Sequence, residues 1–522
     1  SIRMSEFSGL LTVSPTLNKG GDIKLTADHI LMEDTLLETS AQAGVGGDIY
    51  LIADDIEIND GGFGTFSYYS GKANSGRAGS STLKARDSLR LNSGKIHSIS
   101  FTSAGGSGNI EVDTGELIMD GGTLSSPAEF KSVAYRGSTG NVLINASKMR
   151  TSNARFQVEA LQDLNYVPTS ENYGDLKIKA EEADFGVLSI IAATRQKNGS
   201  SDILIDVSGD LGLGEVTIQG RGTVGDNEGG RSLTEGVGGN LIINAKNIFG
   251  QTDYIKGQGQ QLRIFSTGSI HLNAEEKIHL GKAIFGYDNI SPKRRHEVRM
   301  TADEIQLGFK PEQNPNKTAS VEFDYDFEKN MSPEIFLNAQ NNLRINPGAI
   351  IKASQFGISA EESILQDVQL NLGWGGDHLV KGKGSLQLAG STMIQINASG
   401  VSGGWQKAGT LKFHSKKLIV DSDVSILSST KGGEQSASLV LDAENFTLDG
   451  GLIQTVTSGM GRAGDVSLRA NSSSIQNGGS VGSKTEGEGA SGDIHVEGGR
   501  LVLDGESSLR SGVDLNAEEM RL

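Results

Sequence analysis

Cysteine is absent from all 522 residues, which excludes disulfides, thiolate metal centres and a cysteine nucleophile. The absence also suits a chain exported unfolded through an oxidising compartment, where stray thiols would cross-link it; a cytosolic origin is the plainer alternative. Proline is scarce at 8 residues while glycine numbers 71. Without abundant proline and a glycine at every third position, a collagen helix is excluded. Aromatic residues make up 5 % of the chain, too few for a large core built on rings, so Ile, Leu, Val and Ala must fill narrow, pleated interiors. Cationic surface is lacking too. A formal charge of −17 argues against nucleic acid, whose phosphates need a basic face, and the densest basic run, Pro292–His296, reads as a solvated loop. No apolar run reaches the ~18 residues of a membrane span. The opening "SIRMSEFSGLLTV" has no basic segment leading into a sustained apolar one, so it does not read as a signal peptide. An exported chain would carry its signal outside this sequence.

What the chain has instead is repetition. "GGDIKLTADHILMED" at 20–34 returns as "GGDIYLIADDIEIND" at 46–60. The apolar beat after Gly-Asp falls at Ile23 and Ile49, weakly at Ser81, and again at Ile110, Val142, Leu176, Ile203, Leu241, Ile270, Val298 and Ile335. A poorly matched copy around Leu386 follows, and the pattern recovers at Leu411, Leu439, Val466 and Ile494. Within a copy, Ile49 and Leu51 alternate with Tyr50 and Ile52, the period of a strand. Ala53-Asp54-Asp55 supplies a corner, Ile56 and Ile58 open a second strand, and Asn59–Gly62 makes another turn. β-branched residues and glycine crowd each copy, which disfavours helices. The copies run in one direction, so equivalent strands must stack in parallel. A single coil cannot bury its own inward face, but a stack of coils can.

The fold class expected is all-β, one continuous solenoid over 1–522 of about sixteen coils and ~75–80 Å long at ~4.8 Å per coil, with corner loops. The loop candidates are 121–138, 151–172, 219–237, 308–333 and 350–384, and the coils of about 285–400 should be irregular and loop-rich, since five prolines fall between 292 and 347. No polar cap is visible at either end. Raw strand edges recruit other chains, so the sequence reads as a segment of something longer or as a subunit whose ends meet neighbours by end-to-end self-association.

The phrase Gly-Gly-Asp-Ile-x-Leu-x-Ala-x-x-Ile-x-Leu, closed by Gly-Gly and a Ser/Thr-rich strand, resembles the central repeats of filamentous-haemagglutinin-like exoproteins exported by the two-partner route. It does so best over 20–60, 238–280 and 436–505. The resemblance implies a right-handed parallel β-helix, export through an outer-membrane partner transporter, an extracellular or bacterial cell-surface location, and adhesion to a cell, surface or carbohydrate receptor. That family's N-terminal secretion domain is not in this sequence, and Asn314–Lys317 reads as a turn rather than its signature.

Chemistry is hard to find. Asp54-Asp55 occupies a corner that the repeat explains. His271, His279, His414 and His495 alternate with apolar neighbours and should face solvent. Asp324, Asp326 and Glu328 alternate and could present carboxylates to Ca²⁺, but chance acidic alternation is favoured. No cofactor or metal is expected and no enzyme. The candidate ligand-contacting residues are Trp374 with nearby His378, in "GWGGDH", and Trp405, in "SGGWQKAG", because an indole beside glycines can offer a flat stacking surface. The plainer alternative is that both indoles pack under a loop. Phe66–Ser70, "FSYYS", is a weaker candidate of the same kind. Three functions follow: an adhesive exoprotein displaying binding loops, a filament or sheath subunit polymerising through its ends, and a polysaccharide-active enzyme.

Overall fold

The computed structural model describes residues 1–513 apart from 6–7, 15–17, 43, 69–75, 102–104, 123–125, 136, 161–173, 195–200, 223–238, 251–261, 267, 287–296, 310–320, 325–332, 374 and 399–407. Among the described residues every regular element is a β-strand and no helical turn occurs. They fall into two compact units, one centred on residues 1–251 and one on residues from 294 onward.

In the first unit the 11-residue strand Ile49–Asn59 pairs in parallel with Ile23–Thr26 and His29–Glu33 on one side and Ser81–Asn92 on the other. Ile110–Asp120, Val142–Ser152 and Leu176–Thr194 continue the stack. Ile49 lies against Ser81, Ser81 against Ile110, Ile110 against Val142 and Val142 against Leu176. These are the residues that carry the repeated beat. Sequence repeat and strand stacking therefore coincide, the arrangement a β-solenoid requires.

One expectation changes. The two strands foreseen on either side of Ala53-Asp54-Asp55 are one bent strand, with a register shift between Ala53 and Asp55. The amides of Asp54 and Asp55 both donate to the carbonyl of Asp28, at 2.9 and 3.1 Å. The extra residue lies on the facing strand, where Ala85 to Ser88 spans the step that Ala53 to Asp55 makes, and such a bulge bends a strand pair without ending it.

A true turn follows several of the long strands, whereas Leu176–Thr194 runs on without one. Asp34, Asp60 and Ser93 sit there in the left-handed region, with φ of 49°, 50° and 56°, which Asp tolerates better than most side chains. Short strands then form a second parallel ladder: Leu36–Ala41, Gly62–Ser67, Lys95–Ser100 and Ala128–Ala134. In Ile49–Asn59, Ile49, Leu51, Ile56 and Ile58 are buried while Tyr50, Ile52 and Glu57 are half-exposed. Each fully buried aliphatic side chain contributes ~1.5–3 kcal/mol, and only the neighbouring layers can bury it.

The Gly-Gly-Asp phrase has a separate job. A methyl added to Gly79, Gly108, Gly140 or Gly174 would meet the carbonyl oxygen of the equivalent glycine one layer earlier at 2.0, 2.1, 2.1 and 2.0 Å. Successive incoming loops thus rest backbone on backbone, and only glycine fits. The next residue links the layers. Asp48 N–H donates to Asp22 Oδ1 at 2.8 Å, Ser80 N–H to Asp48 Oδ1 at 2.7 Å, Asn141 N–H to Asn109 Oδ1 at 2.9 Å and Asp175 N–H to Asn141 Oδ1 at 2.8 Å. A short side chain with an acceptor oxygen thereby satisfies an amide that the turn leaves out of the strand ladder. Inside, hydroxyls of the short strands hold the same loops: Ser98 Oγ donates to Gly79 O at 3.0 Å and Ser132 Oγ to Gly140 O at 3.0 Å.

The second unit repeats the plan. Thr410–Val420, Ser438–Asp449 and Val466–Gln476 stack in parallel with Leu411, Leu439 and Val466 in register, and Ser425–Thr430, Leu452–Thr457 and Ser480–Thr485 form the short ladder. The span 350–384, expected as a loop, is instead strand for most of its length: Ile350–Ala353, Gln355–Gln366, Gln369–Gly373 and the start of Asp377–Ala389. Ile335 pairs with Phe356, and His378 pairs with Leu411. Coils therefore begin at Phe356 and at His378, 21 and 22 residues after their predecessors. The first is short because Ala353 passes to Gln355 through Ser354 alone. Leu386 is not a coil's first beat; it pairs with Leu418, in the second half of the long strand.

Candidate functional site

The short strands of the first unit project side chains alternately inward and outward. Phe130 and Phe156 are buried and stack with ring centroids 5.6 Å apart. Outward positions line up across layers: Gly62, Lys95, Glu129 and Arg155 in one column, Gly64, His97, Lys131 and Gln157 in the next, then Phe66, Ile99, Val133 and Glu159.

A fourth column lies just past the strand ends. The amides of Tyr68, Phe101 and Tyr135 donate to Ala41, Ser67 and Ser100 carbonyls at 2.9, 2.8 and 2.9 Å, so the three rings occupy equivalent places in successive layers. Tyr68 and Phe101 stack at 5.6 Å between centroids and 5° between planes, and Phe101 and Tyr135 at 4.9 Å and 22°. Phe66 extends the stack, 6.0 Å from Tyr68. Its ring lies over Gly64, where an added methyl would come within 2.4 Å of Phe66 Cε2. Glycine at 64 is thus the seat of that ring.

These rings are not hidden. Tyr68, Phe101 and Tyr135 are 39 %, 36 % and 41 % exposed, whereas large aromatics are mostly buried. Burial, followed by the neighbouring Glu38 carboxylate, pushes the Tyr68 phenol up, so it stays a hydroxyl donor at neutral pH.

The opposite end of the short strands is charged. Glu129 is buried, with Oε2 3.0 Å from His97 Nε2 and Oε1 3.7 Å from Arg155 Nη1. Burial opposes its ionisation, but the His97 hydrogen bond and the charges of His97, Lys131 and Arg155 outweigh it and hold the carboxyl below its usual range. The same ladder thus carries stacked rings past one end and an anchored acid at the other.

Of the residues singled out in the sequence, Trp374, Trp405 and Tyr69–Ser70 lie outside the described residues, as do the side chains of Asp324, Asp326 and Glu328. His378 does not contact solvent as a ligand group would. It is 1 % exposed, its Nδ1 accepts the Phe356 amide at 3.1 Å, and Nε2 donates to the Gly373 carbonyl at 2.8 Å. With both ring nitrogens taken by backbone, it braces two coils. Asp54 and Asp55 are engaged at their corner, Asp54 with Arg86 at 2.9 Å and Asp55 with His29 at 3.1 Å. His414 and His495 face outward beside Asp442 and Glu497, at 3.2 and 3.8 Å, while His279 is half-buried 3.2 Å from Glu304.

Sequence reasoning misses Phe101 and Tyr135. Their signal is spacing: Tyr68, Phe101 and Tyr135 are 33 and 34 positions apart, each just beyond a short strand. Compared with protein-family models, curated proteins and solved structures, the chain finds no match in any of the three.

Proposed function

We propose that this chain is the repeat region of a secreted or cell-surface adhesive exoprotein of the filamentous-haemagglutinin style. In this reading it is a right-handed parallel β-helix, with on the order of sixteen coils, exported through an outer-membrane transporter. Its attachment surface is the outer strip of Tyr68, Phe101 and Tyr135. The observation that carries the reading is the exposure of these three rings in one stack. Rigid aromatic groups with polar tips give large contact area at small entropic cost, and they dominate binding at attachment surfaces. Their placement on a strand ladder fixes them before any partner arrives, which lowers the ordering cost of association.

The test is binding of the whole chain to immobilised mucin, compared with Tyr68→Ala/Phe101→Ala/Tyr135→Ala. The expected result is attachment that falls at least ~10-fold in the variant, with an unchanged melting profile. Attachment that survives the triple change sinks the reading.

A further inference from the structure

From a separate face of the first unit we infer that a second site binds a linear, uncharged glycan along the stacking axis. The bends of the long strands form a groove of about 1030 Å³. Six successive layers each contribute three consecutive residues, and Ser208 adds a seventh layer. The middle residue of each triplet is small: Ala27, Ala53, Ala85, Thr114, Ala146 and Ala180. These residues turn inward at the bend and, Ala27 apart, are buried, so the outward residues on either side of them line the trough. This inference rests on geometry independent of the aromatic strip.

Length and repeat select a polymer. Parallel layers lie ~4.8 Å apart, close to the advance of one ring in an extended pyranose chain, so about six rings span the groove.

Charge selects the class. The walls carry carboxylates at Asp28, Asp54, Asp113 and Glu181 and cations at Lys84, Arg86 and Lys179. A polyanion would meet the carboxylates and a polycation the bases, and the desolvation of either mismatch is unfavourable. Uncharged hydroxyls can donate to the first set and accept from the second.

Two pairs are already fixed along the axis: Asn145 Nδ2 donates to Asp113 Oδ1 at 3.0 Å, and Arg86 Nη2 lies 2.9 Å from Asp54 Oδ2. Planar groups held by a neighbouring layer lose little freedom on binding.

The experiment titrates the whole chain with β-1,4-linked glucose and N-acetylglucosamine oligomers, from disaccharide to octasaccharide, by calorimetry. Affinity should rise with length and level off near about six rings, with little dependence on salt. Asp113→Ala/Asn145→Ala, both on an exposed wall, should weaken the longest oligomer at least ~10-fold. Tyr68→Ala/Phe101→Ala/Tyr135→Ala should leave this binding intact, which separates the groove from the attachment strip. The inference is overturned if no oligomer binds at millimolar concentration, if affinity ignores length, or if the groove variant binds normally. Tighter, steeply salt-dependent binding of polygalacturonate overturns it as well, because the groove would then be a polyanion site.

Discussion

A methyl group on Gly47 would lie 2.0 Å from the carbonyl oxygen of Gly21. No rotamer relieves that overlap, because both partners are backbone. Gly47→Ala must therefore push adjacent layers apart or tilt the incoming loop. The expected cost is about 1–3 kcal/mol, read as a lower denaturant midpoint. Gly433, which has nothing within 4 Å of an added Cβ, provides the contrast: Gly433→Ala should change stability by less than about 0.5 kcal/mol. Equal effects at the two positions would remove the packing explanation for the glycine column.

The inter-layer acceptor makes a sharper distinction. Asp48 Oδ1 receives the Ser80 amide and its Oδ2 lies 2.9 Å from Lys19 Nζ. Asp48→Asn keeps an acceptor oxygen, as Asn109 and Asn141 do in their layers, and should cost little. Asp48→Ala leaves the Ser80 amide without it and should cost about 1 kcal/mol, with faster hydrogen exchange at Ser80. An alanine variant as well protected as wild type would show that the amide does not depend on this side chain.

His378 gives the second unit a pH response. Burial lowers its pKa below the ordinary 6.5, although the Gly373 carbonyl and Asp377 push the other way. A folded-state value below the unfolded one means that stability is fully present above about 6.5 and is lost as pH falls through the folded value. Protonation also removes the acceptor of the Phe356 amide. The Phe356 protection factor should therefore drop as pH falls below about 6.5, and His378→Gln should abolish that slope. A protection factor that is flat with pH in the wild type would contradict this account.

Much of the fold is legible because a strand leaves its period in the sequence. Ile49 and Leu51 mark an inward face, and Gly46–Asp48 mark the turn that repeats it. The bend at Ala53 reads as a break because small and acidic residues serve both a corner and a bulge. The coil at Phe356 reads as a loop since its copy lacks Gly-Gly-Asp altogether. "GGDH" at 375–378 is that phrase with His in the place of Ile, and the substitution disguises both the coil and the burial of His378. The aromatic strip stays hidden for another reason. Its rings belong to three copies and adjoin only after stacking, so no single stretch contains the pattern.

The contact of glycine upon glycine from Gly21 to Gly174 makes the complete coil the natural step of change in this stretch of the molecule. Excising or duplicating a full repeat returns each Gly-Gly-Asp to an equivalent seat. Losing one residue within a strand exchanges its wet and dry sides from that point to the next loop. Natural variants of such a chain should therefore differ by whole multiples of the repeat, or by free growth at corners, and seldom by small slips between them.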